Sequence, residues 1–427
     1  MRICVLSEYF HPDNTGGTGP VMSGLVRHLK DHYEGLEIDV ITSSRLFRGA
    51  KDILPARENW EGVSIRRLSA PSSNKNSTRS RLLSNLVFTN TVLRALLLSR
   101  RKYDLVLVVT APPVLPMAAR AYRALTGTPY VYLVHDLFLD MALAMNLLKD
   151  GGRSTRVMRD VQRKWFDAAS RVVVLGRCMR DYVSERYDVV KDKMEIIPIP
   201  ANLQQIHARD HQTAFRARNN LTGFVVLYAG NFARYQDFDT LLDAAAALRD
   251  REDISLVFVG DGARRGHIKE RVADENLTNV HLLPFVPMEE LNDMLASANV
   301  SLVTLEKEIA GLAVPSKFYN IMASGRPTVA IVNANSEVGY IIKETNCGVQ
   351  VDPEDSAALE KVLRQLADDP SLVKKMGLNA RTVCEERFSR EYVCQQFYQL
   401  FEEVVGEQAR AKKPSRQKRA VETQTIR

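Results

Sequence analysis

The chain has 427 residues, 45% of them hydrophobic and 26% charged, with a formal net charge of +7. That length exceeds what one hydrophobic core usually organises, so two domains of roughly 200 residues are expected, and the composition excludes disorder over most of the chain. The charge is local: residues 407–427 hold seven Lys/Arg against Glu407 and Glu422, leaving the body at +2 and excluding the broad basic face that nucleic acid requires.

The chain enters directly on Arg2-Ile3-Cys4-Val5-Leu6, a short strand without the basic start, long apolar core and small-residue cleavage site of a secretory signal. Cys4, Cys178, Cys347, Cys384 and Cys394 are odd in number and lack metal-ligand spacing, which points to a reducing cytosol. No apolar run is long enough to span a bilayer, and Leu105 to Ala118 is broken by Pro112, Pro113 and Pro116.

Short β-branched runs at Ile3 to Ser7, Ile38 to Thr42, Leu105 to Thr110, Tyr130 to Val134 and Arg171 to Leu175 alternate with helix-length segments, the pattern of a parallel sheet with crossover helices. After the first run, Tyr9 to Pro20 carries Gly16, Gly17 and Gly19 into a helix expected from about Val21. Glycines there let backbone approach a ligand and the helix start favours anionic oxygens, although a glycine-relaxed turn explains the same residues. Arg66 to Lys102 holds nine Lys/Arg and no acid, with Leu82, Leu83, Leu86, Leu93 and Leu97 at near-helical spacing. It reads either as a helix packed on its own sheet with solvated arginines or as a docking element for an anionic bilayer carrying a lipid-linked acceptor. Further on, Val134-His135-Asp136-Leu137 delivers a histidine and a carboxylate to the carboxyl edge of the sheet, where ligands bind in such folds. Asp140 follows, to orient substrate or to cap a helix.

The rhythm then restarts at Val225 to Ala229, Ser255 to Val259, Val280 to Leu283, Val300 to Val303 and Thr328 to Ile331, with a hinge expected near residues 198–210. The expected fold class is α/β, with two Rossmann-like doubly wound domains facing across a cleft. The domains are set at 1–200 and 201–385, followed by a helix over 386–406 and a basic, disordered tail over 407–427. In the second domain Asn231, Arg234 and Gln236 precede a helix expected near Asp239, where amide and cationic donors suit phosphate or sugar oxygens. Val259-Gly260-Asp261-Gly262 reads as a strand-to-turn element. Glu306 and Glu308 are acidic candidates for sugar hydroxyls, or exposed loop carboxylates. In Leu312 to Pro327, Pro315 suits a first helical position, and Ser316 and Lys317 bring a hydroxyl, free N–H groups and a cation to a helix start. Asn320 stands one turn on, at a distance suited to a ribose hydroxyl.

At Gly230-Asn231 with Gln236, at Pro315-Ser316-Lys317 and at Met322-Ala323-Ser324-Gly325-Arg326-Pro327, the chain resembles bacterial family-4 glycosyltransferases of the surface-polysaccharide type, over nearly its whole length. The resemblance implies the GT-B fold, donor nucleotide mainly in the C-terminal domain, acceptor in the N-terminal domain, no divalent metal and no cofactor, and retention of anomeric configuration. It places Gly16 and Gly17 beside the sugar and phosphates, and Arg234 and Gln236 at the loop contacting donor phosphate or sugar. Ser316 and Lys317 fall at the diphosphate, Asn320 at the ribose, and His135 at a sugar hydroxyl or the reacting group, supported by Asp136. It also implies that the final helix packs back on the first domain. The glutamate pair seven residues apart that many members carry is replaced by Leu312 and Asn320, and Asp237 stands where glycine is usual.

The expected activity is transfer of a hexosyl or N-acetylhexosaminyl unit from a nucleoside diphosphate, by default UDP, to a glycan or lipid-linked acceptor. The expected setting is the cytoplasm, at the inner face of the plasma membrane, with peripheral contact through Arg66 to Lys102 and the tail. A sugar-nucleotide 2-epimerase and a non-catalytic scaffold or lectin-like subunit remain as alternatives.

Overall fold

Near-continuous apolar runs, buried on both faces, build two parallel sheets. The computed structural model describes residues 1–13, 17–44, 54–69 and 78–412. The first sheet contains β1 (Arg2–Leu6), β2 (Glu37–Ser43), β3 (Arg57–Trp60), β4 (Val63–Leu68), β5 (Leu105–Val109), β6 (Tyr130–Val134), β7 (Arg171–Val174) and β8 (Met194–Ile196). Its order is β3-β4-β2-β1-β5-β6-β7-β8, parallel throughout except for β3 on β4. The second contains β9 (Phe224–Asn231), β10 (Ile254–Asp261), β11 (Val280–Leu283), β12 (Val300–Thr304), β13 (Thr328–Ile331) and β14 (Gly348–Val351), in the order β11-β10-β9-β12-β13-β14. That is the doubly wound Rossmann order.

Around the first sheet run α1 (Thr18–His32), α2 (Thr78–Leu97), α3 (Pro116–Thr126), α4 (Phe138–Ala144), α5 (Arg153–Ala168) and α6 (Arg177–Tyr187). After α7 (Ala214–Arg218) in the connection come α8 (Phe238–Ala247), α9 (Arg265–Asp274), α10 (Leu291–Ala296), α11 (Lys317–Ala323) and α12 (Glu337–Thr345). The chain closes with α13 (Ser356–Asp368), α14 (Pro370–Arg387) and α15 (Arg390–Lys412). Local chemistry fixes several starts: Asp355 caps α13 through Ala358 N–H at 2.8 Å, and Asp369 caps α14 through Leu372 N–H at 2.9 Å, ahead of Pro370 in the first turn.

Strand alternation divides the packing. In β9, Val226 and Tyr228 join Phe258, Phe238 and Leu302 in one apolar cluster, while Val225 and Leu227 face a second cluster that continues into the first sheet. The last helix lies on the first sheet's half of the molecule: Tyr398 stacks on Tyr33 at 3.9 Å, Glu407 pairs with Arg171 at 2.6 Å, and Gln408 donates to the Gly127 carbonyl at 2.8 Å. This helix continues to Lys412, so the first residues expected as tail are helical; residues 413–427 lie outside the described residues.

The leucine stripe expected to seat α2 does not do so. Ser84, Phe88, Thr89, Val92, Ala95 and Leu96 are the buried side chains, whereas Leu82, Leu83, Leu86 and Leu97 are exposed. The inward face follows the helical period of Phe88, and of the five expected leucines Leu93 alone packs against the core. Among the described residues no helix is long and apolar enough to cross a membrane, and the five cysteines are free thiols.

Candidate functional site

Doubly wound sheets take ligands outside the carboxyl ends of their strands, where the strand order reverses. Here the reversals fall between β1 and β5 and between β9 and β12, and the two edges meet. Asp136 and Ala313 form an isolated antiparallel bridge, and Leu137 N–H donates to the Leu312 carbonyl at 3.0 Å.

The second sheet contributes the cations. Lys317, the first residue of α11, extends beneath the end of β9, where its Nζ donates to the Tyr228 hydroxyl at 2.5 Å and lies 3.7 Å from that ring's centroid. A side chain at Gly230 would come within 3.1 Å of the same Nζ, so the glycine lets backbone pass over the ammonium. Lys317 is only partly buried as a residue, but its ammonium end is enclosed, and burial pushes its pKa down to about 7. Arg234 is exposed and has no hydrogen-bond or ion-pair partner among the described residues. Asn231 and Ser316 are also exposed, and the Ser316 hydroxyl makes no capping bond. The helix begins at Lys317, two positions later than expected from Pro315, with Ser316 as its cap residue.

Two expected donor contacts are engaged elsewhere. Gln236 is buried, its Oε1 accepting from Ala233 N–H at 3.0 Å and from the Tyr228 hydroxyl at 2.5 Å, so this oxygen shapes the loop instead of reaching the cleft. Asn320 turns its Oδ1 to Asn202 N–H at 3.4 Å, toward the connection between the sheets. Asp237 caps α8, one residue before the helix starts, accepting from Thr240 N–H at 3.0 Å and from Glu354 N–H at 3.1 Å. Glu308 is exposed on the short turn Lys307–Ile309, while Glu306 is partly buried with Arg264 at 3.3 Å. Burial, then the Asp237 charge, raises the Glu306 pKa. The end of β10 needs its glycine: Gly260 holds φ +156, and a side chain there would meet the Gly230 carbonyl oxygen at 1.9 Å.

From the first sheet, Thr110 Oγ1 accepts from His135 N–H at 3.0 Å and from Asp136 N–H at 3.5 Å, fixing the end of β6. His135 is buried beside Leu133, Pro198, Pro200 and Phe397, bordering a cavity of about 10 Å³, and burial pushes its pKa down to about 4. It is therefore a neutral imidazole at neutral pH. No hydrogen bond joins His135 to Asp136, so the expected support of one by the other is not found; side chains of successive residues at a strand end point opposite ways. Asp136 instead faces the second sheet's loop, where its charge raises the Tyr235 pKa after burial has done so. Burial pushes Asp136 up to about 6. Asp140 is not a cleft residue: it is buried, accepting from Tyr182 at 3.0 Å and Tyr187 at 2.5 Å. Gly16 lies outside the described residues; Gly17 is exposed at φ +65, directly before α1, which begins at Thr18 and not at Val21.

A contact between the two halves was not foreseen. Arg177 at the start of α6 donates from its backbone N–H to Glu337 Oε2 at 2.6 Å, pairs through its guanidinium with Glu337 at 3.1 Å and with Glu344, and covers the Tyr340 ring at 4.9 Å. Burial opposes the Arg177 charge, but both glutamates raise its pKa overall. Among the described residues no three His, Cys, Asp or Glu side chains gather as metal ligands. A shallow depression of about 530 Å³ lies at the opposite, amino-terminal edge by Arg171 and Lys193, its cations balanced by Asp167, Asp192 and Glu407.

Family profiles match most of the chain: "Glycosyl transferase 4-like domain" over residues 16–200 and "Glycosyl transferases group 1" over residues 211–383. The chain is 29% identical over 333 residues to the protein named "Probable glycosyltransferase WbjE" of Pseudomonas aeruginosa, covering 76% of this chain and 80% of WbjE. It is 26% identical over 330 residues to WcaI of Escherichia coli K12, provisionally named a colanic acid biosynthesis glycosyl transferase, covering 75% and 79%. Among solved structures, sucrose-phosphate synthase of Thermosynechococcus elongatus superposes with a TM-score of 0.77 at 20% identity, over 95% of this chain and 99% of that one. Anabaena HepE in complex with UDP does so with a TM-score of 0.68 at 14% identity, over 94% and 100%.

Proposed function

We propose that this chain, which belongs to the family-4, GT-B-fold glycosyltransferases, moves a hexosyl or N-acetylhexosaminyl unit from a nucleoside diphosphate to a hydroxyl of a glycan or lipid-linked acceptor. UDP is the proposed nucleotide, the one bound in the HepE structure, and surface-polysaccharide synthesis the proposed setting, as in the name of WcaI. The enzyme would work in the cytoplasm at the inner face of the plasma membrane, in peripheral contact with anionic lipid.

What carries this reading is the facing of unlike groups across the bridge at Asp136: an enclosed Lys317 ammonium and an unpartnered Arg234 on one side, a carboxyl group on the other. Charge develops on the departing diphosphate during transfer, and fixed cations in a site shielded from water stabilise it. In the proposed mechanism Lys317 and Arg234 supply that charge without a divalent metal, and Ser316 with the first N–H groups of α11 binds phosphate oxygens. Asp136 accepts the hydrogen bond of the attacking hydroxyl, and the neutral His135 binds a sugar hydroxyl. Retention follows from front-face attack assisted by the leaving phosphate, which takes up the acceptor proton.

The test is a thermal shift with UDP, GDP and ADP, each with and without EDTA, since a ligand of the native state raises its melting temperature. Stabilisation by one nucleotide that survives EDTA and is lost in Lys317→Ala supports the metal-free site. No shift with any nucleotide removes it, and sugar turnover in the absence of acceptor would mark an epimerase.

A further inference from the structure

A sugar leaving a diphosphate for an acceptor hydroxyl has to lie between the cations of the second sheet and the carboxyl group of the first. Gln236, expected to meet it from the loop after β9, turns its oxygen inward, and its neighbour Tyr235 takes the outward place. That loop is braced by its backbone: Phe232 N–H donates to the Asp261 carbonyl at 2.8 Å, Arg264 N–H to the Phe232 carbonyl at 3.0 Å, and Glu306 N–H to the Tyr235 carbonyl at 3.0 Å. The Tyr235 ring packs against the apolar cluster that runs between the sheets, while part of the residue stays in water. A half-buried tyrosine ordinarily finds a partner for its hydroxyl. This one makes no hydrogen bond among the described residues, and neither does the carboxyl group of the partly exposed Asp136. A phenolic donor on one half and a carboxyl acceptor on the other are thus both unspent where the halves meet at the Asp136–Ala313 bridge. Each feels the other: burial, then the Asp136 charge, pushes the Tyr235 pKa up to about 12, so this hydroxyl stays protonated at neutral pH. It also acts on Tyr228, the phenol that holds Lys317.

We propose that Tyr235 is a sugar-selecting residue of this site, its hydroxyl donating to a ring hydroxyl of the transferred hexosyl unit once the diphosphate is seated on Lys317 and Arg234. The assignment rests on the transfer reading above and adds to it the group that reads the sugar. Tyr235 follows Arg234 directly, so a loop that binds phosphate through one residue presents the next to whatever the phosphate carries. The hydroxyl gives up no internal bond to make this contact, and a ring already packed on the core loses little freedom in making it. UDP alone, which has no hexosyl unit, leaves the phenol as it is in the free protein.

Calorimetric titration of the full-length protein and of Tyr235→Phe tests this, with UDP, UDP-glucose, UDP-galactose and UDP-N-acetylglucosamine as ligands. The wild type should bind at least one of the three sugar nucleotides more tightly than UDP. In Tyr235→Phe that ligand should lose about fivefold in affinity, the worth of one neutral hydrogen bond, while the affinity for UDP stays at the wild-type value. The ligand-free melting temperature should not change, because the hydroxyl has no partner inside the protein; a role in bracing the loop would lower it. Sugar-nucleotide affinity undiminished in Tyr235→Phe would overturn the proposal. An equal loss for UDP would do so too, since Tyr235 would then serve the nucleotide or the loop. A wild type that binds UDP but no sugar nucleotide more tightly would remove the sugar contact and leave the nucleotide site standing, whereas a wild type that binds none of the four would remove the transfer reading and this assignment with it.

Discussion

Two titrating groups on opposite sides of the cleft set limits that can be read in one experiment. Lys317, lowered by burial to about 7, is half neutral near pH 7 in the free protein; Asp136, raised by burial to about 6, ionises just below. If the hydroxyl needs an ionised Asp136 and the diphosphate a protonated Lys317, kcat/KM for the donor should form a narrow bell between those values. Bound diphosphate favours the charged lysine, so the upper limb should move to higher pH in kcat while the lower limb stays. Asp136→Asn should remove the lower limb and reduce kcat by about 10²-fold. An Asp136→Asn enzyme with the wild-type profile would exclude this carboxylate from the chemistry. The histidine and the lysine were visible in sequence because strand ends and helix starts announce themselves. That Tyr228 underlies Lys317 was not, since an aromatic residue in an apolar strand reads as core and its partner lies 89 residues away.

At the scale of elements, the strands missed by pattern were at or beside the sheet edges. In the β3–β4 hairpin Arg57, Glu58 and Asn59 run together before Trp60, and Ser64, Arg66 and Arg67 interrupt Val63, Ile65 and Leu68; β8 is three residues long and contains Glu195; β14 contains Gly348 and Gln350. Edge strands carry charge and shortness that discourage pairing with other chains, and this removes the apolar run by which inner strands are recognised. The inner strands were legible because burial on both faces leaves only apolar residues. The tight pairing of β9 with β10 shows what sequence leaves implicit: Gly260 and Gly230 are register partners, and the missing side chain of one sits against the carbonyl of the other. Gly260→Ala should therefore cost about 3 kcal/mol, from overpacking and a strained φ together. A urea midpoint equal to the wild type would show that β10 can shift at no cost. Moving this edge also moves the peptide above Lys317, so nucleotide stabilisation should fall with it.

For the whole molecule, the two halves are held in register by few polar contacts, and Arg177 carries most of their charge. Glu337 is 8% exposed and caps the first turn of α6 through the Arg177 backbone, so removing the guanidinium leaves a nearly buried carboxylate with one N–H donor. Leaving a fully buried charge unpaired costs about 3–5 kcal/mol; with Glu344 and a third of the arginine in water, about 1–2 kcal/mol is the expected cost here. Opening the halves relieves that cost because it hydrates Glu337, and it also breaks the Asp136–Ala313 bridge. In Arg177→Ala the open arrangement should gain population, raising KM for the donor about tenfold while kcat falls little, since a binding-competent fraction multiplies affinity directly. Small-angle scattering should give a larger radius of gyration for the variant, returning toward the wild-type value at saturating UDP. Glu337→Gln, which keeps an oxygen for the Arg177 N–H, should show a smaller change in both. If Arg177→Ala keeps both the wild-type radius and the wild-type KM, the apolar contact that runs between the sheets holds the cleft closed by itself, and the ion pair only decorates it.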